Sequence, residues 1–288
     1  MPNKYVAFGP IIGDICGSRY EFNNYKGDHD LKLFDNCWVT DDTVHTLATM
    51  GACIYAKQHQ LDDTTNTEFI ALLQKGMRHM LIDLYKRYPD MSYGAMFRDW
   101  AEGKDHKPYG SYGNGAAMRV SPVAYIAECE EEVFEYAEAV TVVTHNTAEA
   151  VHYAQMVALL VWYALQGYSK GDIYERINGR ELPQYRKWLG QYYFDESCQG
   201  TVPMAMSTFF ESSNFIDCVI KSIQIGGDTD TLAAIACSIA GAYYRVPPVM
   251  GEECTKFLDS TMRKIIKKFY AISNIPTMRK FSKEMFEE

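Results

Sequence analysis

Long segments with apolar residues at helical spacing limit the folds open to this chain. From Val44 to Tyr55 the apolar and small residues recur every three or four positions and fall on one face of a helix. The segments that share this pattern are 44–58, 69–85, 148–166, 231–244 and 252–270. The third is apolar around nearly its whole circumference, as in the centre of a bundle. No alternating strand or hairpin signal occurs, so the sequence predicts an all-α fold.

The same pattern continues without a boundary along the chain. No internal repeat, low-complexity tract or linker-like stretch divides the sequence, and we expect one compact many-helix domain over residues 1–288. The formal net charge is −9 and the pI about 5.3. Proteins that bind nucleic acid along an extended surface usually carry a basic face, so no such surface is expected here.

Cysteine usage and hydropathy indicate the compartment. The eight cysteines form no Cys-x-x-Cys pair and no zinc-ligand spacing, which favours reduced thiols in a cytoplasmic protein. The N-terminus lacks the apolar stretch of a secretory signal. The longest apolar run, Val157 to Leu165, is far shorter than the roughly 20 residues needed to cross a bilayer. We therefore expect no membrane association.

Two short acidic clusters stand directly before apolar helical segments. The first lies in Trp38–Val44 and the second in Ile225–Ala233. Their oxygen-bearing residues are Thr40, Asp41 and Asp42 in the first, and Asp228, Asp230 and Thr231 in the second. Asp and Thr are good N-caps, and capping explains either cluster alone as well as any function does. A cap needs a single oxygen, however, whereas each cluster offers two carboxylates and a hydroxyl.

Taken together, the clusters favour metal binding. Neighbouring carboxylates repel one another and raise each other's pKa when buried, and a divalent cation removes that repulsion. Oxygen donors without His or Cys suit Mg²⁺ or Mn²⁺. Two such clusters on opposite sides of a cleft would hold two cations, as many hydrolases do.

A third segment, Gly110 to Arg119, is a glycine-spaced loop that opens onto small residues. Free backbone amides in such a loop can bind phosphate at a helix start. An ordinary connecting loop has the same composition, so this segment alone decides nothing. The Gly226-Gly227 pair before the second cluster permits positive φ and close backbone approach.

In combination the three segments resemble the ADP-ribosylglycohydrolase family, also called the dinitrogenase-reductase-activating glycohydrolase family. The shared motifs are Thr-Asp-Asp-Thr, Tyr-Gly-Asn-Gly-x-Ala-Met-Arg and Gly-Gly-Asp-x-Asp-Thr. The similarity extends from Gly9 to Tyr244. It implies an all-helical fold with a crevice for two Mg²⁺ or Mn²⁺ ions.

The resemblance also implies roles for individual residues. The implied metal ligands are Thr40, Asp41, Asp42, Asp228, Asp230 and Thr231. Glu21 matches a mobile acidic residue near the metals in serine-specific members, and it joins Asp41 and Asp228 as a catalytic candidate. The implied substrate-binding residues are Gly94 beside the diphosphate, the loop residues Gly110, Ser111, Tyr112, Gly113 and Asn114, and His145.

The expected reaction is hydrolysis of the bond between C1″ of the distal ribose and its acceptor, which releases ADP-ribose. That cleavage passes through an oxocarbenium-like state that carboxylates stabilise. The substrate would be an ADP-ribosylated protein, nucleic acid or small molecule, and the acceptor is left open. Two alternatives remain: a non-catalytic ADP-ribose-binding or structural member of the family, and a metal hydrolase acting on another phosphate-containing substrate.

Overall fold

Helices account for almost all the regular structure of the chain. The computed structural model describes residues 4–25 and 31–286, and in those ranges it contains fourteen α-helices, four short 3₁₀ segments and no β-strand. One isolated antiparallel bridge joins Gly113 to Ser197. The predicted all-α fold is confirmed.

The helices are numbered in chain order. They are α1 (Gly9–Ser18), α2 (Asp41–His59), α3 (Asn66–Arg87), α4 (Ala95–Glu102), α5 (Glu130–Thr141), α6 (Ala148–Leu165), α7 (Lys170–Arg176), α8 (Tyr185–Trp188), α9 (Cys198–Glu211), α10 (Phe215–Ile225), α11 (Thr229–Tyr244), α12 (Pro248–Thr255), α13 (Ser260–Ile272) and α14 (Pro276–Phe281).

The pairing of α1 with α11 forms the centre of the fold. Gly9, Gly13 and Gly17 are spaced by four residues along α1 and face the backbone of α11. A Cβ added at Gly13 would lie 2.2 Å from the Ala233 carbonyl oxygen, and one at Gly17 would lie 2.6 Å from the Asp230 Cα. Because only glycine permits this approach, the two backbones touch and the residues of α1 come close to the start of α11.

The other helices surround this pair. α11 also packs against α6, α9 and α10, while α2 packs against α3 and α13, and α5 against α6. Apolar side chains from all these helices form one buried core. The search for membrane spans, limited to the described residues, finds no helix that combines the length and the apolar character needed to cross a bilayer.

Four of the five predicted helical segments are confirmed. Segments 44–58, 69–85, 148–166 and 231–244 lie in α2, α3, α6 and α11, which begin up to three residues earlier than predicted. α1 was not predicted as a helix. The eight cysteines are free thiols, six of them buried.

The single helix predicted over 252–270 is wrong. The chain there forms α12 and α13, separated by a turn at 256–259. The Asp259 side chain accepts a hydrogen bond from the Met262 N–H (2.9 Å) and so starts a new helix. Arg263 donates to the Thr255 carbonyl (2.7 Å), which satisfies the end of α12. Apolar periodicity continues through the break and hides it.

Candidate active site

The two acidic clusters meet at one place in the fold. α2 begins at Asp41 and α11 at Thr229, and the Thr231 hydroxyl donates to Asp42 Oδ2 across the gap (3.1 Å). Glu21, from the segment after α1, joins the second cluster. Glu21, Asp228 and Asp230 each offer a carboxylate oxygen within 4.8 Å of the others. The fold thus brings together residues about 190 positions apart in the sequence.

Capping does not explain these carboxylates. At the start of α2 the Thr40 hydroxyl supplies the cap by accepting from the Asp42 N–H (3.3 Å), so neither Asp41 nor Asp42 serves that purpose. At the start of α11 the side chain of Asp228 makes no capping hydrogen bond. It accepts instead from Asn114 Nδ2 (2.6 Å). Each helix start therefore has more carboxylates than the backbone uses.

Backbone geometry aims Asp228 into the site. The two residues before it, Gly226 and Gly227, have φ of 78° and 81°, a region that favours glycine. A Cβ at Gly227 would also lie 2.4 Å from a ring carbon of Tyr192. The predicted need for glycine at this pair is confirmed.

Asp14 on α1 is a third acidic group that the sequence analysis did not single out. Its carboxylate is fully buried. Oδ1 accepts from the Thr40 hydroxyl (2.7 Å), and Oδ2 accepts from the Thr40 and Thr43 amides (3.1 Å each). Asp14 therefore fixes the first turn of α2 relative to the α1–α11 pair. The signal for it was a lone carboxylate within an apolar, glycine-spaced stretch.

Burial and mutual repulsion disfavour ionisation throughout the cluster. Burial is the main cause in each case. It raises the pKa of Asp14 to about 6, although hydrogen bonds from Thr40 and Thr43 oppose the rise. Burial together with Asp14 and Asp228 raises the pKa of Asp41 to about 7. The pKa of Glu21 rises to about 8 through burial and then through Asp228 and Asp41.

Asp42 and Asp230 show the same effect most strongly. Burial raises the pKa of both carboxyls well above the usual range, with neighbouring carboxylates as the next cause. Within the described part of the chain, Asp42 Oδ1 and Asp230 Oδ1 are buried without any hydrogen-bond partner. Buried carboxylate oxygens left unpaired are strongly unfavourable, and hard cations bind such oxygens.

A cavity of about 420 Å³ lies over the cluster. Its walls come from the segment after α1, the starts of α2, α4 and α11, the loop around Asn114, His145, and the segment before α9. Phe22 and Phe194 stack at its edge with ring centroids 5.8 Å apart. The first turn of α4 has Gly94 as its N-cap residue and no side-chain cap. The Phe97 and Arg98 amides donate to the Gly94 carbonyl, which leaves the amides of Ala95 and Met96 without an acceptor within the helix.

The glycine loop is built differently from the prediction. We expected free backbone amides followed by a helix, but the loop leads into a 3₁₀ turn at Asn114–Ala116. The Gly110 amide donates to Asn146 Oδ1, the Gly113 amide to Ser111 Oγ, and the Asn114 amide to the Glu196 carbonyl. These three amides are thus committed to the protein. The loop offers side chains to the cavity and holds Asn114 beside Asp228.

His145 is held by a buried polar chain. Its Nδ1 lies 2.7 Å from the Thr144 hydroxyl, which in turn accepts from Arg119 (2.7 Å). Burial lowers the pKa of His145 well below the usual range, and the charge of the fully buried Arg119 acts in the same direction. The imidazole is therefore neutral. The far side of the ring faces the loop, since a Cβ at Gly115 would lie 3.3 Å from Nε2.

Most of the predicted site residues line this cavity. They are Glu21, Asp41, Asp42, Gly94, Ser111, Gly113, Asn114, His145, Asp228, Asp230 and Thr231. Thr40, Gly110 and Tyr112 are not among the lining residues: Thr40 is fully buried, and Tyr112 is 62% exposed. The remaining lining residues were not predicted as site residues, and His45, Phe194 and Glu196 are among them. Phe194 and Glu196 lie outside the three sequence motifs, and nothing in the apolar helical pattern of α2 marks His45 as a cavity residue.

Comparison with known proteins agrees with this geometry. A profile of the family described as ADP-ribosylglycohydrolase matches residues 6–274. The chain belongs to the ADP-ribosylglycohydrolase family. Among curated relatives, ADP-ribosylhydrolase ARH3 of Mus musculus is 26% identical, with 86% of each chain covered. The ADP-ribosyl-[dinitrogen reductase] glycohydrolase of Rhodospirillum rubrum is 28% identical, over 90% of this chain and 91% of the relative.

Two further comparisons complete this result. The ADP-ribosylarginine hydrolase Tri1 of Pseudomonas putida (strain GB-1) is 28% identical, over 84% of this chain and 70% of the relative. A solved structure titled as an ADP-ribosylglycohydrolase-related protein complex superposes with a TM-score of 0.68 at 20% identity, over 93% of this chain and 96% of that one. The predicted ADP-ribosylglycohydrolase-type fold is confirmed.

Proposed function

We propose that this protein is a metal-dependent hydrolase that cleaves the C1″ glycosidic bond of ADP-ribose conjugates and releases ADP-ribose. The observation that carries the proposal is the meeting of the Asp41–Asp42 and Asp228–Thr231 clusters below one cavity. Family membership and the activities named for three relatives support the substrate class. The cavity has room for a nucleotide-sized ligand, within the usual range of ~300–1,000 Å³.

The donor set fits a pair of Mg²⁺ or Mn²⁺ ions. Asp42 Oδ1 and Asp230 Oδ1 are buried and unpaired in the described residues, and the side chains grouped closely enough to hold an ion there offer hard carboxylate oxygens. Asp41, Asp42, Asp228, Asp230 and Thr231 would hold the metals. Thr40, predicted as a ligand, has a hydroxyl that bonds Asp14 and the Asp42 amide, and we assign it to support that set. When bound, such cations neutralise the carboxylates and polarise water and substrate hydroxyls.

Glu21 is our candidate for proton transfer. It is half-buried at the edge of the cavity, next to the exposed Phe22, whereas the aspartates are held within helix starts. A carboxyl at that place exchanges protons with solvent and reaches the cleaved bond. Asp41 and Asp228 stabilise the positive charge that develops on the ribose. The six carboxyls of Asp14, Glu21, Asp41, Asp42, Asp228 and Asp230 titrate as a coupled set, so pH profiles report the set and not Glu21 alone.

The remaining walls bind the ADP-ribosyl group. The amides at the start of α4, beside Gly94, lie where the diphosphate is expected. Ser111, Asn114 and His145 offer polar side chains on the opposite wall. The neutral His145 orients the distal ribose without adding charge.

The test is release of ADP-ribose from defined conjugates. Serine-, arginine- and nucleic-acid-linked ADP-ribose are incubated with the protein in Mg²⁺ or Mn²⁺ and the products are measured by mass spectrometry. We expect metal-dependent release from at least one conjugate, and the preferred one identifies the acceptor. Full activity after verified removal of metal would contradict the metal site. The absence of ADP-ribose binding at millimolar concentration would contradict the substrate class.

A further inference from the structure

His45 is a buried histidine in the wall of the active-site cavity, and no hydrogen-bond partner of its ring lies among the residues that the structure describes. It lies on α2 four residues after Asp41, and so on the same face of the helix one turn further on. The residue is 4% exposed and lines the cavity. Within the described residues, neither Nδ1 nor Nε2 has a partner. Whichever nitrogen carries the proton, one N–H and one lone pair are left unused.

The surroundings of the ring point to the start of α4. The imidazole centroid lies 4.4 Å from that of Phe97 and 5.4 Å from that of Tyr93. In the sequence, Tyr93 and Phe97 flank Gly94, Ala95 and Met96, which line the cavity at the start of α4. The Tyr93 hydroxyl is also buried and has no partner in ranges 4–25 and 31–286, so it does not satisfy the imidazole.

The imidazole is neutral in this setting. Burial lowers the pKa of His45 well below its usual range, and the charge of Arg119 acts in the same direction. A neutral N–H remains a good donor to an anionic oxygen. At a core position of this size, Met or Leu would make the fold more stable than His does, because these residues leave no buried polar atom unpaired.

Two independent features thus favour binding of an anionic ligand oxygen at the start of α4. The Ala95 and Met96 amides in the first turn of α4 have no intrahelical acceptor, and in the described part of the chain no atom lies within 4 Å of a Cβ placed on Gly94. The unpaired imidazole lies beside the same turn. We propose that His45 is a substrate-binding residue that donates its N–H to a diphosphate oxygen docked at the start of α4. This inference rests on the proposed function, which supplies the diphosphate.

The experiment compares binding with stability in His45→Met. Calorimetric titration of the metal-loaded protein with ADP-ribose, and separately with ADP, should show about 10- to 100-fold weaker binding of both. The ligand-free melting temperature should stay the same or rise, since an unpaired polar group has been removed. His45→Gln keeps an N–H donor and should fall between wild type and His45→Met in affinity. His79→Met, on the exposed side of α3, is the matched control and should change neither quantity.

Each other outcome overturns the inference. Unchanged affinity in His45→Met, with a lower melting temperature, would make His45 a structural core residue. Weaker binding of ADP-ribose but not of ADP would place the contact on the distal ribose and reject the diphosphate. If His45→Met does not fold, His45→Gln against His45→Leu makes the same comparison. A wild-type protein that binds neither nucleotide refutes the proposed function and this inference together, whereas normal wild-type binding with a normal variant refutes only the inference.

Discussion

Replacing Asp41 by asparagine should have opposite effects on stability and on activity. Asp41 belongs to both proposed roles of the cluster, metal binding and charge stabilisation. Its ionised form is unfavourable in the metal-free protein, because burial and the carboxylates of Asp14 and Asp228 raise its pKa to about 7. Asparagine has nearly the same shape and no charge. The change therefore removes a destabilising charge from the metal-free protein and a ligand from the metal-bound one.

The size of the effect follows from the pKa. A rise from 3.8 to about 7 corresponds to roughly 4 kcal/mol against ionisation above pH 7. Part of this is lost because the remaining carboxyls share protons, so we expect a gain of about 2 kcal/mol. For a chain of this size that is an increase of about 4–6 °C in melting temperature at pH 8.

The dependence on pH has a definite sign. The folded-state pKa of Asp41 lies above its unfolded value, so the protonated form contributes stability that is fully present below pH 3.8. That contribution is lost as the pH rises through about 7. The metal-free wild type should therefore melt at progressively lower temperature from pH 5 to pH 8, and Asp41→Asn should lose less over the same range. Saturating Mg²⁺ or Mn²⁺ should restore the wild type at pH 8 far more than the variant.

The assay pairs melting curves of chelated protein at pH 5–8 with turnover in added metal. Turnover of Asp41→Asn should fall by at least about 100-fold if a transition-state interaction of a few kcal/mol is lost. Asp83→Asn, at an exposed position on α3, is the matched control and should alter neither measurement. A lower metal-free melting temperature for Asp41→Asn at pH 8, or retained turnover, would refute the reasoning.

Three further predictions test other parts of the site. Glu21→Gln should reduce turnover by about 100- to 10,000-fold, as expected for a lost proton-transfer group. Its affinity for ADP-ribose, measured by calorimetry, should stay within a few fold of wild type. Turnover equal to that of the wild type would exclude the assigned role. Gly227→Ala should lower the melting temperature and metal affinity, because φ is 81° and its Cβ would lie 2.4 Å from the Tyr192 ring. Gly113→Ala, at a position with φ of −66°, should lower both quantities only slightly. Equal effects of the two substitutions would contradict the backbone argument. Free ADP-ribose should inhibit competitively and AMP much more weakly, since AMP lacks the distal ribose; equal inhibition constants would place recognition elsewhere.

The acidic clusters could be predicted from sequence because their signal is local. Extra carboxylates at the start of an apolar helix are visible without knowing the fold, and both helices begin within three residues of the predicted place. The glycine pair at 226–227 likewise indicates positive φ, because glycine adopts that conformation readily. That the two clusters meet is a tertiary fact, which the chemistry of the clusters suggested and the resemblance to a family supported.

Asp14, His45 and the break before Asp259 could not be predicted in the same way. The roles of Asp14 and His45 depend on which atoms lie opposite them in the folded chain. His45 fits the apolar face of α2 as a core residue would, and no spacing reveals that its nitrogens lack partners. The helix predicted over 252–270 failed because an Asp cap interrupts a continuous apolar face. The glycine loop at 110–114 was read correctly as a loop, but its amides were committed by residues 146 and 196.

The packing of α1 on α11 explains how the folded protein tolerates a cluster of carboxylates that repel one another. Repulsion among buried carboxylates would push the starts of α2 and α11 apart if nothing opposed it. Gly13 and Gly17 let α1 lie directly on the backbone of α11, and close packing of this kind resists displacement. Asp14, carried by the same helix, accepts two amides and a hydroxyl from the first turn of α2. One helix thus holds α2 by hydrogen bonds and α11 by contact, so the carboxylates keep their spacing before any cation binds. Such preorganisation confines the electrostatic repulsion to the site, where bound metals would reduce it.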